Sequence, residues 1–137
     1  MREILFKAKR KDNGEWVEGY YRADPDLDTH YICGWNYYAS ENGLEREPFE
    51  EEINPDTICQ YTGLTDKNGK KIWENDIVEE RYRGVITMRY HVLWDFKEAS
   101  WMLETKSSAR YGIYALNQRK FEVVGNIFDN SDLLEVD

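Results

Sequence analysis

Cysteine is nearly missing from this sequence. Cys33 and Cys59 are the two thiols in 137 residues, too few to staple a small domain, so a disulfide scaffold is excluded and both side chains are expected reduced. Long apolar runs are missing too. No stretch approaches the roughly 20 residues that cross a bilayer, and Met1–Arg10 carries charges where a secretory leader needs an apolar core. A cytoplasmic protein is the expectation. Histidine is limited to His30 and His91, and Thr62-Gly63 and Asn68-Gly69 match no spacing of a glycine-rich phosphate loop. Positive charge is also short. With 18 Lys/Arg against 27 Asp/Glu, the net charge of −9 opposes non-specific nucleic-acid binding by the whole molecule.

What the chain does have is aromatic bulk, ten Tyr and five Trp among its residues. Those types suit pleated strands and half-wet surfaces better than helix interiors. Its charge is also unevenly placed. Residues 1–80 hold ten Lys/Arg against nineteen Asp/Glu, residues 81–125 hold eight against four, and residues 126–137 are acidic again. A basic segment therefore lies between acidic ends, an arrangement that ordinary solubility also explains.

Read along the chain, short apolar runs alternate with turns. Ile4–Lys9 and Trp16–Tyr21 form a predicted hairpin around Asn13-Gly14, because both turn residues tolerate positive φ. Ala23–Asp28 reads as a loop, Thr29–Trp35 as a strand, and the glutamate-rich Glu45–Ile53 as a solvated loop or an edge. A strand over Thr57–Tyr61 precedes turns at Asp66–Gly69 and Glu74–Asp76. From Arg81 to Trp94 the period is two: Tyr82, Gly84, Ile86, Met88, Tyr90, Val92 and Trp94 share the face expected to point inward, and Gly84 marks a bulge or turn. Trp101–Glu104, Tyr111–Leu116 and Phe121–Ile127 are further strands, and Asn130 or Ser131 caps a last helical turn. With no convincing helical period anywhere, a mostly β protein is predicted: a sandwich or barrel in one domain, or two very small ones.

Three stretches resemble the YopX family of small phage and prophage proteins. They are Arg2–Ala8, the central block from Thr57-Ile58-Cys59-Gln60-Tyr61-Thr62-Gly63-Leu64 through Asp66-Lys67-Asn68-Gly69-Lys70 to Ile77-Val78, and the closing Val123–Asn130. One departure is visible: Glu74-Asn75-Asp76-Ile77 stands where the family commonly has Glu-Gly-Asp-Ile. Asn tolerates positive φ best among non-glycine residues, so the turn should survive. The turn leading into Asp-Ile-Val is also similar to the opening of SH3-like barrels. Residues 1–56 read as an N-terminal strand region with an acidic loop, and the resemblance implies that its strands pack beside a barrel. It implies a small SH3-like barrel with a C-terminal helical turn over residues 57–137. It implies no settled activity.

Candidate chemistry is thin. His30, Cys33, Cys59 and His91 are the soft metal ligands, but they lack the two tight pairs of a structural zinc site, and no metal or other cofactor is expected. Asp66, Glu74 and Asp76 could imitate a catalytic carboxylate set, yet they stand at turn positions where carboxylates cap backbone N–H groups. No nucleophile, base and orienting group suggest themselves, and an enzyme is not expected. Arg81, Arg83 and Arg89, with Lys97, Arg110, Arg119 and Lys120, could form a basic surface interleaved with Tyr61, Trp73 and Trp101, as in single-strand binders. The plainer reading makes those rings core and pairs the arginines with carboxylates.

The expected function is accordingly non-catalytic. A phage or prophage accessory protein would assemble with itself as a homo-oligomer or with a host protein, using β edges and aromatic surfaces. The alternatives are a nucleic-acid-binding small β-barrel, using Tyr61, Trp73, Arg81, Arg83 and Arg89, or an acidic DNA mimic using Glu45, Glu47, Glu50, Glu51 and Glu52.

Overall fold

The computed structural model describes residues 3–113 and 120–135. They form two compact units, Met1–Gln60 and Tyr61–Asp137, and the division falls inside a strand. Antiparallel pairing dominates both, as expected of a mostly β chain.

In the first unit, β1 (Phe6–Lys9), β2 (Trp16–Asp24), β3 (Thr29–Ser40) and β4 (Gly43–Glu52) stand in the order β4-β3-β2-β1. The start of β5 (Cys59–Thr65) pairs with β1 through Phe6–Gln60 and Lys7–Cys59. Strand β2 is shared: Trp16–Gly19 meets β1, and Tyr20–Asp24 meets β3. Ala8, Ile32 and Ile53 are buried, with Phe6, Val17, Phe49 and Ile58 packed around them. A 3-10 turn at Pro55–Thr57 closes the unit. Asn54 caps it by accepting from the Asp56 amide, and Pro55 supplies a pre-set φ at its start.

The acidic run is not a loop. Ten register pairs, Tyr31–Glu52 to Ser40–Gly43, make it the edge strand β4, and Asn36–Ser40 continues β3 instead of leaving it. Glutamates have poor strand propensity, but at an edge they stay solvated and discourage edge-to-edge pairing, so the pattern of pairing overrides composition.

In the second unit the remainder of β5 pairs with β6 (Lys71–Trp73). A five-stranded sheet follows, ordered β10-β9-β8-β7-β11, from β7 (Asp76–Tyr82), β8 (Val85–Asp95), β9 (Ser100–Glu104), β10 (Arg110–Gly112) and β11 (Phe121–Asn126). The expected SH3-like barrel is not closed among the described residues: β10 and β11 are the sheet's edges, and β6 pairs with β5 instead. Of the strand expected over Tyr111–Leu116, Tyr111 and Gly112 belong to β10, and Tyr114–Leu116 lie outside the described residues.

Val78, Tyr90, Val92, Leu103, Phe121 and Val123 form the centre of this unit's core, where Tyr90 and Phe121 meet edge to face at 5.7 Å. The inward face predicted for Tyr82–Trp94 holds only in its second half. Tyr90 and Val92 are buried, but Tyr82, Ile86 and Met88 are exposed. The cause is length: β9 covers β8 only from His91 onward, and β11 covers β7 only to Glu80. Beyond that the β7–β8 hairpin is two-stranded. It turns on Arg83 and Gly84, both with positive φ (51° and 80°), the conformation of a two-residue I′ turn. A bulge between Glu80 and Arg81 also breaks the strict alternation.

The distinctive central block is a backbone clip. The Asp66 carboxylate accepts from the amides of Asn68 (2.8 Å) and Lys70 (2.9 Å) through Oδ1, and from the Val123 amide of β11 (2.9 Å) through Oδ2. Asp76 accepts from the Trp73 amide (2.8 Å), while Asn75 takes φ 70°, the geometry that the family's glycine would supply. The C-terminal block is equally local. Asn126 Oδ1 accepts from the Phe128 and Asp129 amides, and a Cβ on Gly125 would lie 2.5 Å from Asn130 Oδ1. Asn130 stands before the final 3-10 turn, Ser131–Leu134, but its side chain accepts from the Asn126 amide instead of capping that turn.

Asp66→Ala leaves three amides without their acceptor, one of them in the core strand β11. It should cost about 3 kcal/mol or more, read as a lower urea midpoint. Asp66→Asn keeps one acceptor oxygen and should cost less.

Candidate interaction surfaces

The five residues expected to form a binding surface do not form one. Tyr61 and Trp73 are opposed on β5 and β6, both buried, with ring centroids 5.5 Å apart. They are core, which the period of so short a strand pair could not reveal. Arg81 and Arg89 converge on Glu79, a side chain 3% exposed. Arg81 Nε lies 2.7 Å from one of its oxygens and Arg89 Nε 3.1 Å from the other. Arg89 donates in addition to the Leu133 carbonyl, tying β8 to the C-terminal turn. Only Arg83 stays outward, its guanidinium 5.4 Å from the Tyr82 ring centroid at the hairpin turn. Arg110 is likewise held by Asp95 (2.8 Å) and Glu104 (2.7 Å), and Arg119 lies outside the described residues. Arg81, Arg89 and Arg110 are therefore neutralised within their own unit.

The soft ligands are each engaged separately. His30 Nδ1 lies 2.6 Å from the Tyr21 hydroxyl, and His91 Nε2 lies 2.9 Å from Asn75 Oδ1. The Cys33 thiol donates to the Tyr20 carbonyl and the Cys59 thiol to the Thr57 carbonyl. No group of three or more His, Cys, Asp or Glu side chains is placed to hold a metal among the described residues.

The surface that sequence reading missed is the outer half of the β3–β4 hairpin. Strand β2 accompanies β3 only as far as Cys33. From Gly34 to Phe49 the two strands pair only with each other among the described residues, an arm about 20 Å long. Trp35 is 44% exposed, Tyr37 63% and Leu44 75%, and Tyr38 is exposed as well. A two-stranded ribbon is marginal in water without a third strand or a packed face. The one clue was the Tyr and Trp content of residues 35–38.

Register sorts the arm's side chains. Trp35, Tyr37, Leu44, Arg46 and Pro48 share one face, and the Arg46 guanidinium lies 3.9 Å from the Trp35 ring centroid. Tyr20, Cys33, Trp35, Pro48 and Phe49 border a shallow concavity of about 430 Å³ at its base. Tyr38, Glu45 and Glu47 share the other face. Register also fixes the backbone. Ile53 donates to the His30 carbonyl and Glu52 accepts from Lys11, so alternate residues Leu44, Arg46, Pro48 and Glu50 turn their backbone groups away from β3. Pro48 thus places its missing N–H on the open edge.

The five glutamates of the acidic cluster divide by their position along β4. Glu50 pairs with Arg22 (2.9 Å), Glu51 with Arg10 (3.2 Å) and Glu52 with Lys11 (2.9 Å). The side chains of Glu45 and Glu47, out on the arm, have no ionic or hydrogen-bonding partner among the described residues.

Burial alone would raise the Glu79 carboxyl, but Arg81 and Arg89 hold it below its ordinary value of 4.5. Asp66 is likewise opposed by burial and lowered overall from 3.8 by the Val123, Lys70 and Asn68 amides. A folded value below the unfolded one means that each ionised carboxylate stabilises the fold above its unfolded pKa. That stabilisation is lost as pH falls through the lowered folded value. Stability measured by urea should be level near neutrality and fall below about pH 4.5. Glu79→Gln should be weaker at neutral pH and flatter across the acid range; an unchanged acid slope would refute the assignment.

The comparisons with known proteins agree with this architecture. A crystal structure of protein EF1440 from Enterococcus faecalis is 22% identical and aligns over 98% of this chain and 99% of that one, with a TM-score of 0.62. No curated protein matches the sequence. No helix among the described residues is long and apolar enough to cross a membrane. The family described as YopX protein matches residues 5–135, nearly the whole chain, and the protein belongs to the YopX family.

Proposed function

We propose that this protein acts by binding other proteins, without catalysis, as an accessory factor of a phage or prophage. It would assemble with itself or engage a host protein. The observation that supports this reading is the β3–β4 arm, which leaves Trp35, Tyr37 and Leu44 in water on a ribbon that pairs with no third strand among the described residues. Exposed aromatic clusters of this kind mark interaction sites. Asp66 and Asp76 fit the same reading, because their carboxylates hold backbone amides.

The test is a paired measurement on the wild-type chain and a Trp35→Ser/Tyr37→Ser variant. Light scattering at micromolar concentration should give a mass above one chain that the variant lowers, or host-lysate capture should give a partner that the variant loses. A monomeric wild type whose captured proteins are the same as the variant's would defeat the proposal. Thermal unfolding of both forms separates loss of a partner from loss of the fold.

The nucleic-acid reading retains one feature, the exposed Tyr82–Arg83 pair at the β7–β8 turn. Single-stranded DNA or RNA at low salt should show no affinity that Arg83→Glu abolishes, because Arg81 and Arg89 are already satisfied by Glu79. Salt-sensitive binding lost in Arg83→Glu would reverse the order of the two readings.

A further inference from the structure

The base of the arm shows twice what its surface can hold. At Tyr31 the Arg22 guanidinium lies 4.4 Å from the ring centroid while pairing with Glu50 at 2.9 Å. One step further out, the Arg46 guanidinium lies 3.9 Å from the Trp35 ring. Both are arginines on aromatic faces, and the first is completed by a carboxylate. Such trios combine cation–π attraction with a charge-assisted hydrogen bond.

The opposite face of the arm carries the same parts without a cation. Tyr38 is directly opposed to Glu45, and Glu47 is the diagonal neighbour on that face, opposite Asn36. The Tyr38 ring is exposed, and neither carboxylate has a partner among the described residues. The whole arm from Gly34 to Phe49 has Glu41, Glu45 and Glu47 against Arg46 alone. The outward edge of β4 offers a partner strand little, since Pro48 removes a donor from its middle. That edge is thus better suited to side-chain contacts than to an added strand.

We infer that the Tyr38–Glu45–Glu47 face of the β3–β4 arm binds an arginine-bearing segment of a partner protein, one guanidinium stacking on Tyr38 while the two carboxylates take its N–H groups. The inference deepens the reading of the arm as a protein-binding element and rests on it. Charge complementarity selects the occupant. A second copy would bring its own Glu45 and Glu47 if it docked by the same face, and like charges meeting there would oppose contact.

A nona-arginine peptide, with nona-lysine and nona-glutamate beside it, is the probe for isothermal titration with the full chain. Arginine should bind more tightly than lysine, because the planar guanidinium stacks and bonds in a fork, and glutamate should not bind. Tyr38→Leu and Glu45→Gln/Glu47→Gln should each weaken arginine binding by roughly tenfold. A charge-matched control in the second unit, Glu98→Gln/Asp132→Asn, should change it by less than about twofold. Equal losses in the control, or no preference for arginine over lysine, would show general attraction to an acidic protein and overturn the inference. A wild-type oligomer that Tyr38→Leu dissociates would put a second copy on this face and overturn it too. If peptide binding fails while Trp35→Ser/Tyr37→Ser still abolishes partner capture, the arm keeps its binding role and only the arginine assignment falls.

Discussion

One carboxylate organises the second unit. Asp66 closes its own turn through Asn68 and Lys70 and, with its other oxygen, fixes the Val123 amide of a strand that arrives 57 residues later. The turn therefore does more than reverse the chain. It sets the height at which β11 meets the block, and the neighbouring Lys67 amide reinforces this by donating to the Phe121 carbonyl. Phe121 and Val123 then reach the core beside Tyr90 and Val78. A buried anion is costly unless bonded, and three charge-assisted hydrogen bonds make this one a cross-link between distant segments.

Seen this way, the most distinctive words in the sequence describe architecture. Asp66-Lys67-Asn68-Gly69, Asn75-Asp76 and Gly125-Asn126 bond to backbone or, at Gly125, leave room for the Asn130 side chain. Their chemistry was legible without a structure, because Asp and Asn at turns have few other uses. The hairpin at Asn13-Gly14 was legible for the same reason, as Gly14 at φ 74° shows. Composition likewise pointed to β structure throughout.

What stayed illegible depends on where strands end relative to their neighbours. Residues Tyr82 to Met88 and Trp35 to Tyr38 have patterns as good as any buried strand, yet both lie where the hairpin outruns its flanking strands. Periodicity reports which side chains share a face, and it is silent on whether anything lies against that face. The arginine stripe failed in the complementary way. Alternation put Arg81 and Arg89 on one side correctly, but nothing in the sequence said that Glu79 would be buried between them. Tyr61 and Trp73 are core, as the plainer reading had them, although three-residue β6 is too short to show a period that decides it.

The position of Pro48 has a wider implication. A flat aromatic ribbon with an open edge is the form from which stacked, self-propagating sheets begin. Growth of that kind needs an unbroken row of donors and acceptors along the edge, and here the row is cut near its middle while Glu50, with its charge, follows. Along the β4 edge the arm consequently exposes its rings without offering an unbroken backbone ladder, which separates stickiness of side chains from stickiness of backbone there.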